Sequence, residues 1–315
     1  MEIAVLCGGV GAARLLTALS TACDPTTLNA IVNVGDDETL HGLYICPDLD
    51  TITYTLSAAI DTHRGWGLSG ETWKALEALR SYAAANSRPD LGWFALGDQD
   101  LGTHLYRTSR LDQGATLSQV THEIAIRWGL SQHLLPATDQ QWQTKLTTSE
   151  GATLSFQEYF VREQHQSDIV SVDFVGAQAQ PTPAVLEALQ RADAIVIAPS
   201  NPIISIDPIL SLPEIRSLVA SRKDRVIAMS PLINGAALKG PADRLMQSLG
   251  KRPDSAGIAQ HYSDLASHLI IDDLDCDLKS ECERFIQHIT VTDTNMSNPP
   301  ASRHLGSLLR DFANG

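Results

Sequence analysis

The chain has 315 residues, enough for one large α/β domain or two ordinary ones, and its 43% hydrophobic and 19% charged residues describe a globular protein with a sizeable core. A formal net charge of −14 argues against general nucleic-acid binding, because such a chain repels phosphate backbones. It leaves room for a single nucleotide held by backbone N–H groups and a metal. Its cysteines, Cys7, Cys23, Cys46, Cys276 and Cys282, form no CxxC pair, and no apolar stretch reaches about 18 residues. A reduced, cytoplasmic protein with no membrane helix and no signal peptide is expected.

In chain order, EIAVLC (2–7) is a short buried strand ending in Gly-Gly, and the helical pattern AARLLTALSTA follows. NAIVNV (29–34) is a second buried strand, ending at Gly35-Asp36-Asp37. Residues 60–125 carry helical patterns, among them 71–85 and 117–129. Between 134 and 175 the segments HLLPATD, WQTKLTT, GATLSFQEYF and IVSVDFVG read as a small set of strands. Apolar runs then recur at 194–199, 226–231 and 268–272, separated by helical patterns, and a final helix is expected over HLGSLLRDFA. Short buried strands alternating with helices predict a doubly wound, mainly parallel, Rossmann-like α/β sheet. The reading is one domain over 1–315 with a helical and mixed-strand insert at about 60–175.

The motifs gather at expected strand ends, where open α/β sheets bind ligands. Gly8, Gly9 and Gly11 form a turn that lets backbone approach an anion at a helix N-terminus. It lacks the lysine of a phosphate loop and the frame of the full dinucleotide fingerprint. Asp36 and Asp37 end the second strand, where paired acids are costly unless partnered or metal-bound. Asp48 and Asp50 follow in CPDLDT; Asp50 reads as a helix cap near Thr51 and Asp48 as a solvated turn residue. With Asp36 or Asp37 these acids offer an oxygen-rich site for Mg²⁺. In LGDQDLGTHLYRT, Asp98 and Asp100 lead into a helix on which His104 and Arg107 share a face, His104 as a base or phosphate donor and Arg107 as a phosphate clamp. Ser200 and Asn201 in APSNP supply neutral polar groups suited to a purine, ribose or phosphate. Each motif taken singly also reads as ordinary capping, turn formation or surface pairing.

Together VLCGGVGAARLL, NVGDDETLHGLYICPDLDTITYTL, HRGWG with ETW, LGDQDLGTHLYRT, LLPATD, FQEYFVR, IAPSNPIISI, SLPEIR and SPLINGAALKGPADRLM resemble, in order, the 2-phospho-L-lactate transferase family, including its actinobacterial phosphoenolpyruvate transferase branch. The resemblance spans nearly the whole chain. It implies an enzyme of coenzyme F-420 biosynthesis. Such an enzyme moves a phospholactyl, phosphoenolpyruvyl or phosphoglyceryl group from a guanosine diphosphate ester to the ribityl hydroxyl of the deazaflavin Fo, releasing GMP. It further implies Mg²⁺ on Asp36 and Asp50, Asp50 beside Fo, the nucleotide on the glycine turn and the SNP loop, and a homodimer. Ala95 stands where archaeal members carry a lysine, and Asp98-Gln99-Asp100 replaces the usual Asp-Arg-Asp. Asp50 or Asp37 would take the hydroxyl proton. Two other readings compete: a nicotinamide-dependent oxidoreductase with Asp36 on a ribose, and a non-catalytic nucleotide sensor.

Overall fold

The strand Ile3–Cys7 (β1) is buried along its whole length, as a strand covered on both faces must be. The computed structural model describes residues 1–88, 90–176 and 178–315. Leu28–Val32 (β2), His133–Pro136 (β3), Ala194–Ile197 (β4), Val226–Met229 (β5), His268–Ile271 (β6) and His288–Val291 (β7) join β1 in one parallel sheet. Its order is β7-β6-β5-β4-β1-β2-β3. The chain therefore winds outward in both directions from the β1–β4 pair, which is the switch point where doubly wound sheets bind ligands.

The two faces follow from side-chain alternation. On one face Ala4 and Leu6 of β1 and Ile195 and Ile197 of β4 pack with Val219, Ile258 and Leu265. On the other, Ile3, Val5 and Cys7 pack with Leu15, Leu16 and Leu19 of the helix Gly9–Ala22 (α1) and with Leu305 and Leu309 of the C-terminal helix Pro299–Asn314. No helix among the described residues is long and apolar enough to cross a membrane.

Two local expectations are corrected, and one strand is added. HLLP is the edge strand of the central sheet, not part of the small patch. That patch is an antiparallel sheet of Gln143–Thr148 between Thr153–Ser155 and Ile169–Val175. FQEYF runs into a turn of π-helix at Glu158–Arg162, held by its i→i+5 bond from Glu163 N–H to the Glu158 carbonyl. The strand β7 went unforeseen, because HITV is a half-exposed edge strand in which polar and apolar residues alternate, not an unbroken apolar run. Helices Lys74–Ala85 (α3), Asp98–Asp112 (α4) and Leu117–Arg127 (α5) fill the helical part of the insert.

Candidate active site

The loops leaving β1 and β4 meet side by side. Ser200 Oγ donates to the Gly8 carbonyl at 2.8 Å and accepts from the Gly8 N–H at 3.3 Å. A Cβ on Gly11 would lie 2.3 Å from the Pro199 carbonyl oxygen, so only glycine lets α1 start this close to the second loop. Asn201 accepts from the Ile203 and Ile204 N–H groups at 3.0 and 3.4 Å, which leaves its own buried Nδ2 without a partner. The cap residue of α1 supplies no side-chain cap, so beyond the Gly9 N–H, which goes to Asp48, N–H donors of its first turn remain available to a ligand. Gly8, Gly9, Gly11, Ser200 and Asn201 all line one cavity of about 1030 Å³.

Asp36, Asp48, Asp50 and Asp100 line the same cavity. The helix Pro47–Leu56 (α2) begins earlier than expected, at Pro47, with Cys46 as its cap residue. Asp50 is therefore inside the helix, not its cap. Asp48 and Asp50 sit in its first turn, where the helix dipole favours acids. Asp48 is no solvated turn residue: it is 6% exposed and accepts from Asn33 Nδ2 at 3.0 Å. Burial pushes its carboxyl up to about 6, against the opposing hydrogen bonds from Asn33 and the Gly9 N–H. Asp36 is pushed well above the carboxylate range by burial and then by the charge of Asp48, and its Oδ1 has no partner. Asp36 thus has a buried acid beside it, an orphaned oxygen and no counter-charge, a strain that a bound cation would relieve.

Asp50 is differently placed. Arg107, 2% exposed, grips both of its oxygens: Nη2 pairs with Oδ1, and Nη1 donates to Oδ2 at 3.1 Å. Burial is the largest influence and works against the guanidinium charge, but Asp50 together with the neighbouring Cys46 and Tyr54 outweighs it and holds Arg107 above its ordinary pKa. Arg107 Nη1 also lies 3.2 Å from His104 Nδ1, and His104 Nε2 lies 3.4 Å from Asp100 Oδ2. Tyr54 donates to Asp100 Oδ1 at 2.6 Å. Burial would raise Asp100, but the neighbouring His104 and the Tyr54 hydroxyl bring it below its usual value. The result is a buried chain Asp50–Arg107–His104–Asp100–Tyr54, open to the cavity through Asp50, His104, Asp100 and Tyr54.

Three expected site residues serve elsewhere. Arg107 is spent on Asp50 and the Tyr44 carbonyl, so it is not a free phosphate clamp. Asp98 caps α3, accepting from the Lys74 and Ala75 N–H groups and from Thr72; Asp100, two residues on, is the one that reaches the cavity. Asp37 accepts from Cys46 Sγ at 3.1 Å and lines a smaller cavity of about 210 Å³ with Tyr44 and Trp142. The sequence reading missed Asn33, which joins Asp48 to the Ile204 carbonyl, and gave Tyr54 no role. It also missed a ladder of stacked rings on the cavity wall, Phe156 on Phe160 at 5.4 Å and Phe160 on His165 at 5.7 Å. The i,i+4 and i,i+3 spacings of Asp100, His104 and Arg107 were the available signal for the buried chain.

Among the described residues no three His, Cys, Asp or Glu side chains converge as a preformed metal cage. Mg²⁺ does not require one, since one or two carboxylates plus phosphate oxygens suffice. Asp36 and Asp48 fit that description, having no counter-charge; the Asp50 carboxylate is already neutralised by Arg107, although each of its oxygens keeps a lone pair.

A crystal structure of a UPF0052 family protein from Bacillus halodurans superposes with a TM-score of 0.60 at 17% identity, covering 98% of each chain, which supports the fold alone. A phosphoenolpyruvate transferase of Nocardia farcinica is 42% identical over 278 residues, 86% of this chain and 82% of that protein. Those of Mycolicibacterium smegmatis and Streptomyces griseus are 42% and 40% identical, the first covering 86% of both chains, the second 90% of this chain and 89% of its own. Residues 3–296 match the 2-phospho-L-lactate transferase CofD family, and the chain belongs to that family.

Proposed function

We propose that this protein transfers a phosphate-linked three-carbon acid from its guanosine diphosphate ester to the terminal ribityl hydroxyl of the deazaflavin Fo, releasing GMP, in coenzyme F-420 biosynthesis. The names of the relatives favour the phosphoenolpyruvyl ester over the phospholactyl and phosphoglyceryl ones. The observation that carries the reading is the pairing, in one cavity, of a helix start with available N–H donors at the switch point with two buried carboxylates that lack a counter-charge.

On this reading the N–H groups at the start of α1 and the Asn201 Nδ2 bind the guanosine diphosphate part. Asp36 and Asp48 hold Mg²⁺, in place of the Asp36 and Asp50 pair expected from sequence. When bound, the ion neutralises charge on the diphosphate. The deazaflavin ring lies against the Phe156–Phe160 ladder. Its hydroxyl donates to Asp50, which Arg107 holds fixed. The hydroxyl oxygen forms the new bond to the phosphorus bearing the acid, and the bond from that phosphorus to the bridging oxygen breaks. GMP departs with the electron pair, and the hydroxyl proton passes to Asp50. Asp37, outside this cavity, has no part in that step. Five free thiols suit a reducing cytoplasm. The homodimer remains part of the proposal, with light scattering at twice 34.1 kDa as its check.

Mass spectrometry after incubation with Fo, Mg²⁺ and each candidate ester tests the reading. A phosphodiester of Fo together with stoichiometric GMP is expected. Hydride transfer from a nicotinamide, or nucleotide binding with no product from any ester, would replace the reading with one of its two rivals.

A further inference from the structure

Four cations line the cavity: Arg14, Arg64, Lys239 and Arg244. They are not equivalent. Arg64 is consumed within its own loop, pairing with Asp61 at 2.9 Å, donating to the Leu68 carbonyl at 2.9 Å and packing over Trp66 and Trp73. Arg14, on α1 just beyond the glycine turn, donates to Ser297 Oγ at 2.8 Å. Lys239 and Arg244 have no ion-pair or hydrogen-bond partner among the described residues, although the chain carries 37 acids against 23 basic side chains. In so acidic a chain, two cations facing one cavity without a carboxylate partner mark a place where an anion arrives from outside.

Both stand on the segment that follows β5, whereas the acids come from the β2 end, α2 and α4. Lys239 reaches across to the loop at Gly65, where a Cβ would lie 2.0 Å from its Nζ. Arg244 is near enough to Tyr159, beside the ring ladder, to favour ionisation of its phenol, though burial outweighs it. The cavity thus has an acidic wall and a cationic lip. A guanosine diphosphate ester of a small acid carries two kinds of anion. The diphosphate goes to the helix start and the carboxylate-held cation. On the acidic wall the terminal carboxylate meets no free side-chain cation, since Arg107 is spent on Asp50.

We infer that Lys239 and Arg244 form the subsite for the terminal carboxylate of the donor's three-carbon acid. The inference rests on the function proposed above. It also accounts for Ala95 and Gln99, which leave the α4 loop without a cation: the acid is read from the other side of the cavity. Since both side chains are exposed, each contributes modestly, about tenfold in donor affinity.

The test compares two probes in the presence of Mg²⁺: the guanosine diphosphate ester of the acid, and the β-ethyl ester of guanosine diphosphate, which keeps the diphosphate charge and lacks the carboxylate. Binding to wild type, Lys239→Met and Arg244→Met is measured by calorimetry. Each variant should lose about tenfold for the acid ester and nothing for the ethyl ester, with the double variant losing about a hundredfold. Equal losses for both probes would assign the cations to phosphate, and no loss for either would leave them idle; each overturns the inference. Failure of the function itself reads differently, since wild type would then form no Fo phosphodiester from any ester.

Discussion

Replacing Arg107 with Met tests whether the buried ion pair organises the site. Arg107 is 2% exposed and Asp50 5%, so water cannot compensate either charge once its partner is gone. The same guanidinium also offsets burial at Asp37 and Cys46. Removing one partner of a buried pair costs about 3–5 kcal/mol, a large part of a total stability of about 5–15 kcal/mol. Asp50→Asn keeps the shape and leaves Arg107 a neutral acceptor, for a smaller loss of about 1.5–3 kcal/mol. The double variant Asp50→Asn/Arg107→Met removes both charges and should recover part of the Arg107→Met loss, giving a coupling of about 2 kcal/mol or more. The assay is urea unfolding followed by circular dichroism for all four proteins, with transfer activity in parallel. Both variants that carry the Asp50→Asn change should lose at least about a hundredfold in transfer, whatever their stability. Strictly additive losses, or an Arg107→Met protein within about 1 kcal/mol of wild type, would refute the reasoning. The pair also means that Asp50→Ala is a poor probe of chemistry alone, because it strands a buried guanidinium.

Gly11→Ala forces its methyl group against the Pro199 carbonyl, which should cost about 1–3 kcal/mol and weaken GMP binding at least about tenfold by calorimetry, while full GMP affinity would disprove the proposed nucleotide position. Asp36 and Asp48 have folded pKa values raised above their unfolded ones, Asp48 to about 6, so their contribution is fully present below about pH 4 and fades as pH rises through about 6. Unfolding in EDTA should show this as a loss of the order of 2 kcal/mol between about pH 4.5 and 7, and Mg²⁺ with GDP should largely remove the dependence; an identical pH profile with and without them would count against the metal assignment. Phe160→Leu keeps bulk but loses a flat face, so the KM for Fo should rise about fivefold with the donor KM unchanged, and a rise confined to the donor would move the acceptor ring off the ladder.

How much of this was legible beforehand depends on how local each signal was. β1, β2 and β4 could be read because strands buried on both faces appear as unbroken apolar runs, and their glycine and SNP exits fixed the functional edge. β3 looked like a member of the small sheet because HLLP adjoins those strands in sequence; only the tertiary pairing with β2 moves it. Asp98 and Asp100 are indistinguishable by composition, and the choice between them is made by the reciprocal caps at two helix starts: Asp98 takes the N–H groups of α3, while Glu71 takes those of Gln99 and Asp100 in α4. Asp48 was misjudged because the helix was expected to begin near Thr51, when Pro47 is already its first residue, where proline's missing N–H costs nothing. Arg107 and Asp50 are 57 positions apart, a pairing that no local periodicity encodes.

The buried acids are not of one kind, and the difference bears on how the site works. Asp50 is neutralised within the chain by Arg107, and Asp100 is held by the Tyr54 hydroxyl and the His104 ring, so their positions are set before any ligand arrives. Asp36 and Asp48 have hydrogen-bonding neighbours but no counter-charge, so the ligand-free protein carries an electrostatic cost that a divalent cation removes. The diphosphate in turn needs that cation before it can lie beside two carboxylates. Metal and donor should therefore bind cooperatively, each supplying the charge the other lacks. The acceptor, facing the self-neutralised pair, should bind with little dependence on either. A site divided in this way can hold its acceptor-side carboxylate rigid for in-line attack and leave the donor side to be completed by the reactants, which is where a phosphoryl-type transfer needs charge compensation most.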